Sequence, residues 1–305
     1  MDATPSVGLP EDAASGIIDQ PPSPTLIGTR IFTWGARTFV MGVVNVTPDS
    51  FSGDGILVKD PNDPVADAVR QAERMAAEGA DILDIGGEST RPRHAPVTAD
   101  EELRRTVPVI RAIRAALPDM PVSIDTTKPE VAAAALDVGA DLVNDIWGTA
   151  DSSEIAALAA ERGVPLVLMH NRREARYRNV IAEVLADLQR AIDRAMAAGA
   201  GWDQLIVDPG IGFGKTAEHN LAVMRDLSLI AALGRPIMIG TSRKSTIGKV
   251  LDLPADQRLE GTLATTALAV AAGVDIVRVH DIEPNVRAAR MADAVVRGGW
   301  SEEPR

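Results

Sequence analysis

A repeated pattern of apolar and polar positions runs along most of this chain. Four times an amphipathic segment ends at a glycine, and a short apolar run follows that itself ends in polar residues; the glycines are Gly79, Gly139, Gly199 and Gly273. Glycine commonly follows the last turn of a helix, and a short apolar run after such a signal is typical of a buried strand. Each repeat therefore predicts a helix, then a buried strand, then a polar tip.

Extended over the whole chain, the pattern predicts eight strands that alternate with eight helices. The predicted strands are 40–46, 82–85, 122–125, 142–145, 166–170, 205–208, 237–240 and 276–280. The predicted helices are 65–77, 99–116, 130–137, 153–161, 181–198, 217–229, 259–271 and 284–296. A doubly wound open sheet also alternates in this way. The count of eight, with polar residues at almost every strand end, favours a (β/α)8 TIM barrel, in which chemistry sits at the carboxyl ends of the strands.

The N-terminal part of the chain shows a different pattern. Residues 30–39 alternate around positions 34–37, which predicts a short N-terminal hairpin that closes the barrel floor. Residues 1–25 contain five prolines and several acidic residues and have no basic or apolar signal region, so we expect a disordered extension rather than a secretory signal. Residues 26–305 then form one catalytic domain.

Composition narrows the classes of partner. Hydrophobic residues make up 46% of the chain but aromatic residues only 3%, so Val, Ile, Leu and Ala must fill the core, as barrel interiors prefer. The net charge of −12 argues against nucleic acid, although a local cluster of basic side chains can still bind an anionic small molecule. No apolar run is long enough to predict a membrane span, and the absence of cysteine excludes disulfides and thiolate chemistry.

Polar side chains stand at the ends of several predicted strands. They are two acids, an amide and an ammonium group: Asp125, Asp208, Asn144 and Lys244. Because these strand ends meet at one end of a barrel, we expect the four groups to face one cavity. Together they can recognise a flat heterocycle that carries both donors and acceptors. Any one of them alone could instead be a satisfied structural residue.

A second group of candidates is basic. Arg91 follows strand two, Arg243 follows strand seven, and Arg278 and His280 lie at the end of strand eight. Arginine forks beside hydroxyl donors suit phosphate oxygens, and the loops after the last two strands often hold phosphate in this fold. The alternative is surface pairing with the abundant carboxylates. Arg278 favours the functional interpretation because it lies inside an apolar strand, where an unpaired charge is costly.

Residues 208–216 (DPGIGFGKT) form a glycine-rich loop after strand six. The glycine spacing fits neither a Walker A loop nor a Rossmann fingerprint, so we predict a flexible loop that follows a strand-terminal carboxylate. No histidine has a second histidine or a cysteine at zinc-binding spacing. If a metal is used, we expect Mg²⁺ that bridges a phosphate, with an oxygen ligand such as Asn45 at the end of the first strand.

Five segments in combination resemble the signatures of the dihydropteroate synthase family. They are residues 41–52 (MGVVNVTPDSFS), 84–92 (DIGGESTRP), 208–216, 242–244 (SRK) and 278–281 (RVHD), and the resemblance runs from about residue 34 to residue 296. The resemblance implies condensation of 6-hydroxymethyl-7,8-dihydropterin diphosphate with 4-aminobenzoate in folate synthesis. It further implies a Mg²⁺-dependent, cytoplasmic homodimer that sulfonamides inhibit by mimicking the second substrate.

The resemblance also implies a role for individual residues. The pterin-binding set is Asp125, Asn144, Asp208, Lys244 and Arg278, and the diphosphate-binding set is Thr90, Arg91, Arg243, Arg278 and His280. The aminobenzoate-binding set is Asp54, Thr90, Pro92, Phe213 and Ser245, with mobile loops at 52–56 and 90–96. Asn45 is the metal ligand, and the catalytic residues are Asp125, Lys244, Arg278 and His280.

Two other functions remain as alternatives to the synthase. A pterin-barrel methyltransferase with a corrinoid partner would keep the pterin contacts but would have no use for two basic diphosphate loops. A non-catalytic paralogue that binds pterin or only dimerises would not need every motif. The presence of both basic loops and all five segments favours the synthase.

Overall fold

The computed structural model describes residues 21–46, 63–88, 97–148 and 153–298. The strands are β1 Thr25–Ile27, β2 Arg30–Phe32, β3 Phe39–Asn45, β4 Ile82–Gly86, β5 Val122–Asp125, β6 Leu142–Asp145, β7 Leu166–Met169, β8 Leu205–Asp208, β9 Met238–Ile239 and β10 Ile276–Val279. The helices are α1 Pro64–Ala77, α2 Ala99–Ala116, α3 Pro129–Asp137, α4 Glu154–Arg162, α5 Val180–Ala197, α6 Ala217–Arg225, α7 Ser245–Leu251, α8 Leu259–Ala271 and α9 Ile282–Val296. Short 3-10 turns lie at Trp202–Gln204, Leu227–Leu233 and Ala255–Gln257.

Strands β3 to β10 form a closed parallel barrel. Their order in the sheet is β8-β7-β6-β5-β4-β3-β10-β9, and a parallel bridge between Val207 and Ile237 joins its two ends. The helices surround this sheet, with the hydrophobic layer between them built from small and branched aliphatic side chains. The (β/α)8 prediction is confirmed, and the open-sheet alternative is wrong.

The glycine pattern marks the junctions between helices and strands. Gly79, Gly139, Gly199 and Gly273 all have φ between 89° and 109°, a conformation that glycine adopts without steric strain. In three of the four repeats the aspartate two residues later accepts a backbone amide at or next to the start of the neighbouring strand: Asp81 from Val40 at 2.8 Å, Asp141 from Val122 at 2.9 Å, and Asp275 from Ile237 at 3.0 Å. The repeated pattern therefore encodes both the chain reversal and the attachment of the next strand.

The N-terminal hairpin closes the floor of the barrel, but its position differs from the prediction. Its two strands are β1 and β2, which pair antiparallel around a turn at Gly28 (φ 60°). Phe39, predicted in the hairpin, begins barrel strand β3, because its amide donates to the Asp275 carbonyl at 2.8 Å and is thus committed to the parallel sheet. Trp34 and Phe32 pack together with Phe39 against the interior side chains at the floor of the barrel.

The other predicted boundaries of helices and strands agree with the structure to within a few residues, with two exceptions in the C-terminal third of the chain. The helix predicted at 217–229 ends at Arg225 and continues as a 3-10 turn, and helix α7 was not predicted at all. Helix α7 is short and contains Gly248, so its helical signal is weak. Residues 1–20 of the predicted disordered extension lie outside the described part of the chain, so their disorder stays a prediction. Thr25, the last residue of that predicted extension, instead begins β1 and is buried. Within the described ranges, no helix is both long and apolar enough to cross a membrane.

Candidate active site

The mouth of the barrel, at the carboxyl ends of its strands, is lined by polar side chains. Along the strand, several of them come two residues after an apolar side chain of the barrel floor. On four strands an aliphatic floor residue is followed at this spacing by a polar mouth residue: Ile82 by Asp84, Leu142 by Asn144, Ile206 by Asp208, and Ile276 by Arg278. Side chains two residues apart point to the same side of a strand, which here is the barrel interior. The interior therefore changes from apolar to polar within two residues along the same strands.

Arg278 lies at the centre of this polar layer. Its Nε donates to Asp84 Oδ2 at 2.6 Å and its Nη2 donates to Asp125 Oδ2 at 2.7 Å. Asn144 also donates to Asp84 Oδ2, at 3.1 Å. Burial raises the pKa of Asp125 to about 7, although the Arg278 guanidinium acts in the opposite direction. The costly buried arginine expected from the sequence is thus compensated by two buried carboxylates.

Several acceptor oxygens of this cluster are not used within the protein. Asp84 Oδ1, Asp125 Oδ1, Asn144 Oδ1 and Ser123 Oγ are buried and have no hydrogen-bond partner among the described residues. A buried oxygen left unpaired in this way destabilises the folded chain. A concentration of such oxygens at one place indicates a surface shaped for a ligand with several N–H donors.

Asp208 and Lys244 add a carboxylate and an ammonium group to the same mouth. Asp208 Oδ1 accepts the Gly210 amide at 2.7 Å. Burial raises the pKa of Asp208, while the nearby Lys244 acts to lower it. Burial likewise lowers the pKa of Lys244 to about 8, opposed by Asp208. Lys244 donates to the Ile211 carbonyl and lies 4.5 Å from the centre of the Phe213 ring, so it connects the polar cluster to an aromatic surface.

The loop that follows β8, residues 209–216, is tightly held, which corrects the prediction of a flexible loop. Gly210, Gly212 and Gly214 have φ values of 68°, 84° and 54°, and a side chain at Gly210 would collide with the His170 carbonyl. The Gly212 amide donates to Asn220 Oδ1 at 2.8 Å. The glycines therefore serve close packing of the backbone and not mobility.

Two of the predicted phosphate-binding residues, Arg243 and His280, lie on the loops after β9 and β10. Arg243 forms a two-point ion pair with Asp281, at 3.1 and 2.6 Å, and His280 Nδ1 lies 3.0 Å from Ser242 Oγ. Arg243 has a φ of 57°, which is uncommon for a residue with a side chain and fits a constrained position.

The remaining predicted residues are divided between the mouth and the undescribed loops. Asn45 ends β3 opposite Gly86, which in turn is opposite Asp125, so the three lie side by side. Ser245 is exposed at the start of α7. Asp54, Thr90, Arg91 and Pro92, with the loops 52–56 and 90–96, lie outside the described residues, and their roles stay predictions.

Sequence reasoning missed two residues that the structure places at the site. Asp84 anchors both Arg278 and Asn144, and Lys215 lies beneath the loop after β8. Asp84 had a detectable signal, since it is a charged residue two positions after Ile82 within a buried strand. Lys215 had none, because its contact with His170 joins it to a part of the chain 45 positions away.

Comparison with known proteins agrees with this geometry. The family model described as "Pterin binding enzyme" matches residues 41–280. A dihydropteroate synthase of Clostridium beijerinckii is 48% identical over 272 residues, which cover 89% of this chain and 99% of that protein. The structure of a dihydropteroate synthase from Clostridium difficile in the presence of pteroic acid aligns with a TM-score of 0.82 and 45% identity, covering 87% of this chain and 99% of the other. That of the Thermus thermophilus enzyme with 4-aminobenzoate has a TM-score of 0.78 and 41% identity, covering 90% and 100%.

Proposed function

The chain belongs to the family of pterin-binding enzymes and acts as a dihydropteroate synthase, and from this premise we propose how its barrel mouth binds the two substrates. The reaction condenses 6-hydroxymethyl-7,8-dihydropterin diphosphate with 4-aminobenzoate, and the products are 7,8-dihydropteroate and diphosphate. It is a transferase reaction, because the pterin methylene group moves from a diphosphate oxygen to the amine nitrogen of 4-aminobenzoate.

The pterin ring is bound by Asp125, Asn144, Asp208 and Lys244, with Arg278 holding Asp125 in place. The observation that carries this assignment is that Asp125 Oδ1 and Asn144 Oδ1 are buried acceptors with no partner in the part of the chain that the structure describes. A pterin presents an amino group and ring N–H groups along one edge, which supply the donors that these oxygens lack. Lys244 supplies a donor for a ring carbonyl or ring nitrogen.

The same carboxylates assist the bond changes. When the C–O bond to diphosphate breaks, the diphosphate leaves with the bonding electrons and positive charge spreads into the pterin ring. Asp125 and Asp208 stabilise that charge electrostatically from a buried position. The amine nitrogen of 4-aminobenzoate forms the new C–N bond and then releases a proton, so no covalent intermediate with the enzyme is needed.

Diphosphate is bound by Arg243, Arg278 and His280 together with Thr90 and Arg91. The support for this assignment is that Arg243 and His280 extend from the loops after β9 and β10, where this fold commonly binds phosphate. Their ion pair with Asp281 and hydrogen bond with Ser242 orient both side chains before the substrate arrives. Arginine and histidine there neutralise charge on the leaving group.

Asn45 fits the role of a protein ligand for Mg²⁺. Its side-chain Oδ1 lies at the mouth beside Gly86, on the same side of the sheet as an oxygen of Asp125. Among residues 21–46, 63–88, 97–148 and 153–298, no group of three acidic, histidine or cysteine side chains could hold a metal alone. A single side-chain oxygen such as that of Asn45 suits Mg²⁺, because this ion keeps several waters and binds through one or two protein oxygens plus substrate phosphates. The ion would supply charge neutralisation on the diphosphate.

4-Aminobenzoate binds between Phe213, Ser245 and the loops that carry Asp54, Thr90 and Pro92. Phe213 supports this because its ring is partly exposed and lies against Lys244 at the mouth. Sulfonamides, which resemble 4-aminobenzoate, would compete for the same surface; a Yersinia pestis dihydropteroate synthase that is 36% identical has been solved with a sulfonamide drug.

Assembly as a homodimer is a further part of the proposal. Half of the exposed large apolar side chains in the described ranges lie on the last three helices: Val250, Leu251, Leu268, Met291, Val295 and Val296. Exposed apolar side chains in such number favour a protein partner, and a second copy of the chain fits that role. Sedimentation of the purified protein at several concentrations tests this. Function in the cytoplasm also stays a prediction.

An Asn144→Leu variant tests the pterin site. Removal of the amide should weaken binding of bare 6-hydroxymethyl-7,8-dihydropterin by about 1–3 kcal/mol, because one ligand donor then stays unpaired. Asp119→Asn is the matched control, since Asp119 is exposed at the opposite end of β5 from Asp125. Calorimetry on folded protein decides: unchanged affinity in Asn144→Leu would remove Asn144 from the pterin site.

A further inference from the structure

A second ammonium group, that of the partly buried Lys215, lies beneath the loop after β8 and has no part in the function proposed above. Its Nζ lies 2.8 Å from His170 Nδ1, 3.0 Å from the Gly210 carbonyl oxygen and 3.1 Å from the Phe213 carbonyl oxygen. An ammonium group has three N–H donors, and these three acceptors use all of them. Lys215 therefore ties the start and the middle of the loop to the end of β7.

His170 connects Lys215 to helix α5. The His170 ring is fully buried, and its Nε2 lies 3.1 Å from Asp187 Oδ2. Because Nδ1 accepts from Lys215, Nε2 carries the ring proton and donates it to Asp187. Burial lowers the pKa of His170 to about 3, which keeps the ring neutral. Arg172 Nε donates to the same Asp187 oxygen at 2.9 Å, so this end of the connection is fixed as well.

The loop backbone lies directly on the chain that follows β7. A Cβ at Gly210 would come within 1.9 Å of the His170 carbonyl oxygen, and one at Gly214 within 2.3 Å of the Arg172 carbonyl oxygen. There is accordingly no side chain between the two segments at these glycines. The Lys215 side chain bridges them through polar contacts, and the Tyr177 hydroxyl adds a second bridge by donating to the Gly214 carbonyl at 2.9 Å.

Lys215 acts on Phe213 more directly than on Asp208. Its ammonium contacts the Phe213 carbonyl, and the Phe213 ring lies against Lys244 on the open side of the loop. Asp208, in contrast, ends a barrel strand, and its carbonyl accepts the His170 amide at 2.8 Å. The barrel sheet therefore holds the Asp208 backbone in place, and Lys215 acts on Asp208 only through its positive charge, which acts to lower the pKa of that carboxyl.

We propose that Lys215 is a positioning residue that fixes Phe213 and thereby sets the affinity of the enzyme for 4-aminobenzoate. This rests on the proposed function, in which Phe213 contacts 4-aminobenzoate and Asp208 binds the pterin. Lys215 touches neither substrate. It acts through the loop backbone, as part of the connection Asp187–His170–Lys215.

Steady-state kinetics of a Lys215→Met variant test the proposal. We expect KM for 4-aminobenzoate to rise about tenfold, while KM for the pterin diphosphate stays within about twofold. Lys249→Met is the matched control, because Lys249 is an exposed lysine on α7 and should change neither value. If KM for 4-aminobenzoate stays unchanged, or if both KM values rise equally, Lys215 does not position Phe213.

A Lys215→Arg variant covers the case in which Lys215→Met does not fold. Arginine keeps the positive charge but cannot direct its planar fork at all three acceptors, so we expect a smaller rise, of about threefold, in KM for 4-aminobenzoate alone. An unchanged KM for 4-aminobenzoate in the Lys215→Arg variant would contradict the proposal. A Phe213→Ala variant tests the proposed aminobenzoate site separately from the role of Lys215. If KM for 4-aminobenzoate is unchanged in Phe213→Ala, the proposed aminobenzoate site itself is wrong.

Discussion

The floor and the mouth of the barrel are built from the same strands, yet they use carboxylates in different ways. At the floor, both oxygens of Asp81 and both oxygens of Asp275 accept hydrogen bonds from the protein, including strand amides. At the mouth, Asp84 and Asp125 each leave one buried oxygen without a partner among the described residues. Floor acids therefore stabilise the fold, whereas mouth acids keep hydrogen-bonding capacity for a ligand at the expense of stability.

The apolar side chains show the same division. The floor layer packs Ile82, Leu142 and their neighbours against the hairpin aromatics. Two residues further along four of these strands, the interior is occupied by polar groups: Asp84, Asn144 and Asp208 are as buried as the floor residues, and Arg278 is partly buried. The comparison indicates that substitutions at the floor should change the free energy of unfolding, and that substitutions at the mouth should change ligand binding.

The largest effect is expected at the floor, from Trp34→Ala. Trp34 is 1% exposed and packs against Phe32 and Phe39, so its loss should reduce the free energy of unfolding by about 3–5 kcal/mol. Pterin affinity of the folded protein should not change. Chemical denaturation and calorimetry measure the two quantities. Trp202→Ala is the control, because Trp202 is 41% exposed and should lose much less. A large loss of pterin affinity in Trp34→Ala would break the division between floor and mouth.

At the mouth, Asp208→Asn should abolish or strongly weaken pterin binding while the fold survives. The amide loses the charge-assisted hydrogen bonds and presents a donor toward donors of the ligand, at a cost of roughly 2–4 kcal/mol in binding free energy. Calorimetry with the bare pterin alcohol measures this, and Asp119→Asn again serves as the control. Unchanged affinity in a folded Asp208→Asn protein would mean that Asp208 is a structural acid like those of the floor.

Binding of 4-aminobenzoate should depend on diphosphate, by about 1–3 kcal/mol of coupling. Part of its predicted site lies on the loops 52–56 and 90–96, which the resemblance predicts to be mobile. On that prediction diphosphate would order them through Thr90 and Arg91 and so remove an ordering cost from the second ligand. Titration of labelled 4-aminobenzoate with and without diphosphate gives the coupling. Equal affinities for 4-aminobenzoate with and without diphosphate would show that its site is already formed in the free enzyme, as the floor of the barrel is.

The smallest effect is a pH dependence that comes from Asp125. Its pKa in the free enzyme is raised to about 7, and the pterin N–H donors require the ionised form. Pterin affinity should therefore rise about tenfold per pH unit as pH increases toward 7 and then level off. Calorimetry in buffers with different ionisation enthalpies should detect release of close to one proton near pH 6. An Asp125→Asn variant should lose this proton release, and its persistence there would assign the proton to another group.

The amino-acid sequence alone determined the barrel and most of the polar layer at its mouth. The glycine junctions, the apolar runs and the polar strand ends are local signals with short periods, so they located nearly every strand and named Asp125, Asn144, Asp208, Lys244 and Arg278. The hairpin position was wrong because alternation at residues 30–39 does not reveal that Phe39 pairs with the distant β10. Helix α7 was missed because a short helix with an internal glycine gives little periodicity.

Only the tertiary structure decided how these residues work together. Arg278 is bound to Asp84 across 194 positions of the chain and to Asp125 across 153, and Lys215 reaches His170 across 45. Which oxygens stay unpaired depends on these pairings, and so does the rigidity of a loop whose glycines suggested mobility. Sequence patterns report the preference of a residue for helix, strand or burial, but a hydrogen bond between distant segments depends on distance and direction, which exist only once the barrel has closed.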